Sequence, residues 1–431
     1  MVHSLVIART LYLGGAMIDK VGKNVFAKIL EPVSSLIEET QKSMQDDSET
    51  YTLSFTAFTI NLLFGIICQI KSIGKLIVEI KTSRVAKEIG LPGASKSMYS
   101  EAFCRYDPEI YRKIFGKLLL ACNFLAIPEI QQLGRILLID GSVFPAISNM
   151  CWAKYKKNAN AVKMHLAFEL NRMIPVQFLS TEGNYSEKQF LKDIIEKGVT
   201  YICDRGYISF EIFKFICDKH ASFIIRGKSN MLYKVKESLD VDIPVSFLHF
   251  FDNIKDSLII FSNDTKQGVY RIVEFTSMGE SYILITNRLD LSTYEIIMLY
   301  AYRWQVELYF RFIKRTLKGI HLMSYDPCGV QIQFYLYMIA YLLLLSFKQE
   351  CEIQQTPSSE NISVEEEYQA TCSNSDNNPQ AGRFYVRGLV SLLGGRLKKY
   401  WRIGIHWLIA VKNYLLETFN DNIVQNLAAY P

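Results

Sequence analysis

The run Arg135 to Phe144, RILLIDGSVF, constrains this chain more than any other. Consecutive large apolar residues ahead of Asp140 call for a strand buried on both faces, and such strands lie in sheets covered by helices on two sides. A carboxylate in the middle costs several kcal/mol unless it is paired or holds a cation. The run therefore bears on fold and chemistry together.

Strand and helix signals alternate after it. Val162 to Leu170 and Met173 to Ser180 are β-like runs around Asn171-Arg172, which predicts a hairpin. Ser186 to Lys197 reads as a helix capped by Ser186. Val199 to Cys203 is a short apolar strand that ends at Asp204-Arg205-Gly206-Tyr207. A helix over Ser209–Lys219 and a strand over Ser222–Arg226 complete an α/β pattern, a mixed sheet with flanking helices. From Leu232 to Asn287 the runs 258–261, 270–275 and 282–285 are short and broken by turns such as Asn263-Asp264, so a β-rich insertion is expected.

The stretch Tyr300 to Lys314, YAYRWQVELYFRFIK, reads as a helix with Ser292 or Thr293 as cap. At about 100° per residue, Tyr300, Arg303, Glu307 and Lys314 fall within a sector of roughly 60°. Alone, this is equally an amphipathic core helix with an i, i+4 pair between Arg303 and Glu307. A long apolar helix over Val330–Lys348 follows Pro327.

Residues 1–130 read as helical, from an amphipathic run at Val21–Met44 onward. Val85 to Ile89 closed by Gly90, a Leu91-Pro92-Gly93 turn, and a helix capped by Ser95 or Ser97 resemble a helix-turn-helix. Lys96, Ser97, Tyr99 and Ser100 would then lie where base edges are read. This helical N-terminal part is assigned to binding DNA ends.

Of 431 residues, 49% are apolar and 21% charged, a globular profile long enough for two or three domains. The net charge of +5 is compatible with nucleic acid without identifying it. Nine cysteines with no Cys-x-x-Cys pair read as reduced thiols, not zinc ligands or a disulfide framework. No signal peptide is expected at the start. The apolar runs Phe55–Ile70 and Phe334–Phe347 fall short of the ~20 residues a spanning helix needs, so buried helices are expected and no membrane. Residues 350–382 read as a disordered linker and 383–431 as a basic, aromatic helical tail. That tail suits a DNA-backbone surface, a partner-binding helix or a helix packed back on the body. His165, His220 and His321 stand isolated. Glu182 and Glu187 are expected to cap or to face solvent.

Two sheet aspartates and a helix glutamate, Asp140, Asp204 and Glu307, match the oxygen donors that hold two divalent cations for in-line phosphoryl transfer. At this point the residues resemble a known family. Tyr300, Arg303, Glu307 and Lys314 meet its Tyr-x2-Arg-x3-Glu-x6-Lys signature. Asp204, Gly206 and Tyr207 meet its Asp, Gly and Tyr motif, and Asp140 lies in its apolar strand. Over roughly residues 130–347 the chain resembles the DDE transposases of bacterial insertion sequences, in the group that carries the Tyr-Arg-Glu-Lys signature. The resemblance implies an RNase H-like core over 131–228 and 288–349, interrupted by the β-rich insertion at 229–287. It implies Asp140, Asp204 and Glu307 as catalytic and metal-binding, with two Mg²⁺ that Mn²⁺ could replace. Tyr300, Arg303, Lys314, Arg205, Tyr207 and Lys96 become DNA contacts. The expected partners are double-stranded DNA, as terminal inverted repeats and target, and a second copy in a synaptic homodimer, within a bacterial cytoplasm. An RNase H-like nuclease without strand transfer uses the same acids. A silent DNA-binding relic is disfavoured by three intact buried acids.

Overall fold

The computed structural model describes residues 25–44, 53–122, 124, 128–265, 267–277 and 279–353. The segments expected as linker and tail lie outside these, except for residues 350–353, which continue a helix.

The described chain opens with helices α1 (Val25–Ser43), α2 (Phe55–Ile67), α3 (Ile73–Thr82), α4 (Arg84–Ile89), α5 (Lys96–Arg105) and α6 (Pro108–Ala121). Ser54, Ser72, Ser83, Ser95 and Asp107 cap α2 to α6, each side chain accepting a backbone N–H that the helix start leaves unsatisfied. Gly90 ends α4 in the left-handed region at φ +73°, which a glycine adopts without strain. The fully buried Asn61 of α2 holds the next turn in place. Its amide donates to the Pro92 carbonyl at 3.1 Å and to the Tyr99 hydroxyl at 2.8 Å. Tyr99 is thus packed inside and does not stand on a base-reading surface, which corrects the expectation from sequence. Lys96, Ser97 and Ser100 are exposed.

The strands are β1 (Arg135–Ala146), β2 (Lys154–Lys156), β3 (Ala159–Glu169), β4 (Ile174–Glu182), β5 (Val199–Cys203), β6 (Ser222–Arg226), β7 (Tyr233–Ser238), β8 (Asp252–Phe261), β9 (Val269–Ser277) and β10 (Glu280–Thr286). They form one mixed sheet in which β4, β3, β1, β5 and β6 lie side by side. β3 is antiparallel to both of its long neighbours, while β1, β5 and β6 run parallel. This is an RNase H-like sheet. The β-rich insertion does not form a separate layer. Its last strand, β10, pairs antiparallel with β6, and β9, β8 and β7 extend the same sheet.

Besides two single turns at Pro128–Gln131 and Val245–Leu248, the strands are flanked by the longer helices α7 (Glu187–Asp193), α8 (Phe210–Asp218), α9 (Thr293–Tyr302), α10 (Trp304–Arg311) and α11 (Pro327–Ile353). Alternation along β1 divides the core. Ile136 and Leu138 face the N-terminal helices and α9 to α11, while Leu137 and Ile139 face α7 and α8. The N-terminal helices share their apolar cluster with α11 rather than closing a core of their own. Helix α7 is shorter than the Ser186–Lys197 expected. The Tyr201 hydroxyl takes the Ile194 carbonyl and accepts from the Glu196 N–H, each at 2.7 Å, and so turns the chain out of the helix.

Among the described residues, one helix, over Pro327–Cys351, is long and apolar enough to cross a membrane. The estimate of its length from sequence was therefore too short. Its most apolar window is 78% buried inside the protein, against α6, α1, α2 and α5, which is the environment of a core helix.

Candidate active site

β1 and β5 run parallel with Ile139 opposite Cys203. One residue further along each strand come Asp140 and Asp204, so two carboxylates stand side by side on the face that Leu138 and Ile202 share. Each is oriented by a neighbouring glycine. The Gly141 N–H donates to Asp140 Oδ1 at 2.8 Å, and the Gly206 N–H to Asp204 Oδ1 at 2.7 Å.

The third acid arrives from the covering helices. Ser292 and Glu295 form a capping box that starts α9. The expected single helix is then interrupted at Arg303. The Arg303 N–H reaches the Tyr300 carbonyl and the Val306 N–H reaches that of Arg303, so the chain overwinds to i, i+3 bonds between α9 and α10. After α10, Phe312–Thr316 unwinds into a π turn, with the Leu317 N–H on the Phe312 carbonyl. Helix α10 packs on β1 and carries Glu307 to the aspartates.

Arg303 ties the group together. Its guanidinium donates to Glu307 Oε1 at 2.5 Å and lies 5.9 Å from the Tyr300 ring centre. Burial works against its charge, but Tyr300, Glu307 and Asp140 together raise its pKa above the ordinary value. Burial pushes the Asp140 carboxyl up to about 7. Arg303 and the Gly141 N–H oppose that shift, and the charges of Glu307 and Asp204 add to it. Lys314 donates to Ser142 Oγ and to the Val143 carbonyl, both at 2.7 Å. Burial lowers its pKa and Asp140 resists the change.

A cleft of about 240 Å³ opens over these groups, lined by Asp140, Ser142, Glu307, Phe310, Arg311, Lys314 and Arg315. The two arginines were missed from the sequence. They fall roughly 20° and 60° beyond the sector drawn through Tyr300 and Lys314, and a wider sector would have included them. Arg311 also lies 5.6 Å from the Trp304 ring centre.

Other expected contacts fare unevenly. Arg205 is exposed next to Asp204. Tyr207 is fully buried and Tyr300 is 8% exposed, so neither side chain offers a surface to DNA, which corrects both assignments. Lys96 is exposed on α5, outside the cleft lining. Glu182 is exposed as expected. Glu187 is not simply solvated. Its carboxylate pairs with Lys163 at 2.6 Å and lies over Gly141.

Among the described residues no three His, Cys, Asp or Glu side chains converge as a ready-made set of metal ligands. Glu307 is turned to Arg303 instead. The donor chemistry still fits a hard cation: Asp140, Asp204 and Glu307 offer carboxylate oxygens within electrostatic reach of one another, and their mutual repulsion adds to the burial that raises the Asp140 pKa.

The transposase DDE domain family matches residues 131–343, a span that contains all three acids. The chain is 30% identical over 251 residues to a protein of Sinorhizobium fredii named as transposase y4zB, covering 57% of this chain and 69% of that one. It is 24% identical over 257 residues to a Geobacillus stearothermophilus protein named as the transposase for insertion sequence element IS5377, covering 59% and 68% of the two chains. It is also 24% identical over 255 residues to a Synechocystis protein named for insertion sequence element IS4SA, covering 58% and 70%. With an RNase H-like sheet that sets Asp140 beside Asp204 below Glu307, this chain belongs to the family of DDE transposases of insertion sequences.

Proposed function

We propose that this transposase cuts DNA strands at the ends of an insertion sequence and joins them to a target, using divalent cations held by Asp140, Asp204 and Glu307. The observation that carries this reading is the register of β1 and β5, which places the two aspartates side by side under the helix that bears Glu307. Bound there, a pair of Mg²⁺ or Mn²⁺ ions supplies activation of the attacking oxygen and neutralisation of the leaving one. The chain's own residues do the rest. Arg303 balances Glu307 in the resting protein and, once released, is placed to grip a DNA phosphate. Tyr300 lies buried beneath that guanidinium and positions it. Lys314 braces β1 next to Asp140 through Ser142 and Val143. Arg311 and Arg315 line the same cleft with positive charge, the exposed Arg205 adds a cation next to Asp204, and the exposed Lys96 on α5 offers a separate backbone contact.

The test is a duplex that carries the element's terminal repeats. Asp140→Asn, Asp204→Asn and Glu307→Gln are each expected to lose cleavage by on the order of 10³-fold while end binding persists. Cleavage at the parent rate by any one of them overturns the reading. Scoring joined products in the same reactions separates strand transfer from hydrolysis alone.

A further inference from the structure

Both aspartates of the site are followed closely by a glycine, at Gly141 and at Gly206, and one side chain approaches both, taking the room that Gly141 leaves. A Cβ at Gly141 would stand 2.8 Å from Glu187 Oε1, and a Cβ at Gly206 would stand 3.6 Å from Glu187 Oε2 and 2.9 Å from Asp204 Oδ1. The Glu187 carboxylate therefore spans the gap between the two strand ends that carry the acids. Its backbone is fixed there. Helix α7 packs on the Arg205–Tyr207 turn, and Lys188 next to Glu187 donates to the Ile208 carbonyl at 2.7 Å. Within that turn lies the Tyr207 hydroxyl, fully buried and without a hydrogen-bond partner among the described residues. Its surroundings include Glu187, Asp140 and Asp204.

Among the described residues, the cation paired with Glu187 is Lys163 at 2.6 Å, and the Lys163 side chain itself runs close over Gly141. The pair is 14% and 27% exposed for lysine and glutamate. A partly exposed ion pair contributes modestly to stability, and it does not explain why Gly141, next to an aspartate of the site, makes way for it. A carboxylate placed on the rim of a cation site does. Acidic groups just outside a metal's direct ligands orient its waters and strengthen binding.

We propose that Glu187 is a fourth acid of the cation site formed by Asp140 and Asp204, and that Lys163 is the counter-ion that holds its carboxylate while no metal is bound. The proposal rests on the metal-centre reading given above. It assigns the charge of Glu187 to the metal and not to the fold, so replacing that charge while keeping the shape changes affinity and leaves stability alone.

The experiment is a titration of the metal-stripped full chain with Mn²⁺ in the absence of DNA, read by electron paramagnetic resonance, with thermal unfolding of each variant recorded beside it. Glu187→Gln is expected to weaken Mn²⁺ binding by about tenfold or more, with its melting temperature unchanged. Lys163→Met is expected to tighten binding, because it removes the competing cation. Asp140→Asn serves as the reference and is expected to abolish the site. If Asp140→Asn abolishes binding while Glu187→Gln leaves it as in the parent, the fourth-acid proposal is wrong and the metal centre stands. If Asp140→Asn binds Mn²⁺ normally, the metal-centre reading itself fails. Weaker binding by Lys163→Met shows that the lysine is not a competing counter-ion and overturns that half of the proposal.

Discussion

Two arginine–carboxylate pairs, one in the insertion and one over the cleft, use the same chemistry at opposite levels of satisfaction. Arg271 of β9 grips both oxygens of Asp256 on β8, at 2.9 and 2.6 Å. Its remaining N–H groups reach the Leu291 carbonyl at 2.6 Å and that of Arg288 at 3.4 Å, and the Thr293 hydroxyl donates to Asp256 at 2.8 Å. The pair is 5% and 0% exposed. Every contact runs to the protein itself, and the network ties the insertion strands to the start of α9. Arg303 and Glu307 share a single hydrogen bond, and the side chains are 14% and 31% exposed, with Glu307 opening on the cleft. A saturated network has nothing left for a ligand. An open one keeps lone pairs and N–H groups ready for a cation and a phosphate.

The largest test breaks the closed pair. Asp256→Ala leaves the Arg271 charge buried without its carboxylate and is expected to cost about 3–5 kcal/mol in chemical denaturation. Replacing both partners with apolar residues, as Asp256→Leu with Arg271→Met, should recover most of that loss, because no charge is then stranded. A single mutant within about 1 kcal/mol of the parent would mean that solvent reaches the pair, and the contrast with Arg303 would fall.

The same contrast separates what the sequence reveals from what it hides. Asp140 is legible because an acid inside RILLIDGSVF has no bland explanation, and the alternation around it places β1, β3, β4, β5 and β6. The start of α9 is legible because Ser292 and Glu295 stand three apart, as a capping box requires. The break at Arg303 is hidden because helix-compatible residues lie on both sides and the overwinding depends on packing against β1. The π turn at Phe312–Thr316 is equally silent. β7, with the sequence YKVKES, alternates only over Tyr233 to Lys236, too short a signal to stand out, and as an edge strand it stays mostly exposed. That the insertion extends the main sheet follows from β10 pairing with β6, some 60 residues away along the chain (Ile285 opposite Ile225), and pairing at such range leaves no local mark. The helix α11 runs on to Ile353 through residues whose composition reads as linker. The role offered here for Glu187 depends on a contact with Gly141, which no spacing rule joins.

An intermediate case sharpens the comparison. His165 is fully buried, with Nε2 bonded to the Thr181 hydroxyl at 2.9 Å and Nδ1 without a partner among the described residues. Burial first, and then the Lys163 charge, lower its pKa to about 4. In the unfolded chain the ring takes up its proton near pH 6.5, whereas in the fold it does so only near 4. The unfolded state thus binds more protons between those values, and stability is expected to fall as pH drops from about 6.5 towards 4. The loss should reach roughly 3 kcal/mol. His165→Gln should flatten that limb of the stability–pH curve. An unchanged acid limb in the variant would assign it to other groups.

The smallest expected change in stability is at the open pair itself. Arg303→Met removes the cation between Glu307 and Asp140, but Glu307 is free to turn to water, so unfolding should become easier by only about 1 kcal/mol or less. Cleavage should nevertheless fall on the order of 10²-fold, because a preorganised positive charge at the reacting phosphate is lost. The two measurements together decide the comparison. A loss of stability as large as that of Asp256→Ala would make Arg303 a structural cation like Arg271. A loss of cleavage with the fold intact would mark it as a group held in reserve for the substrate.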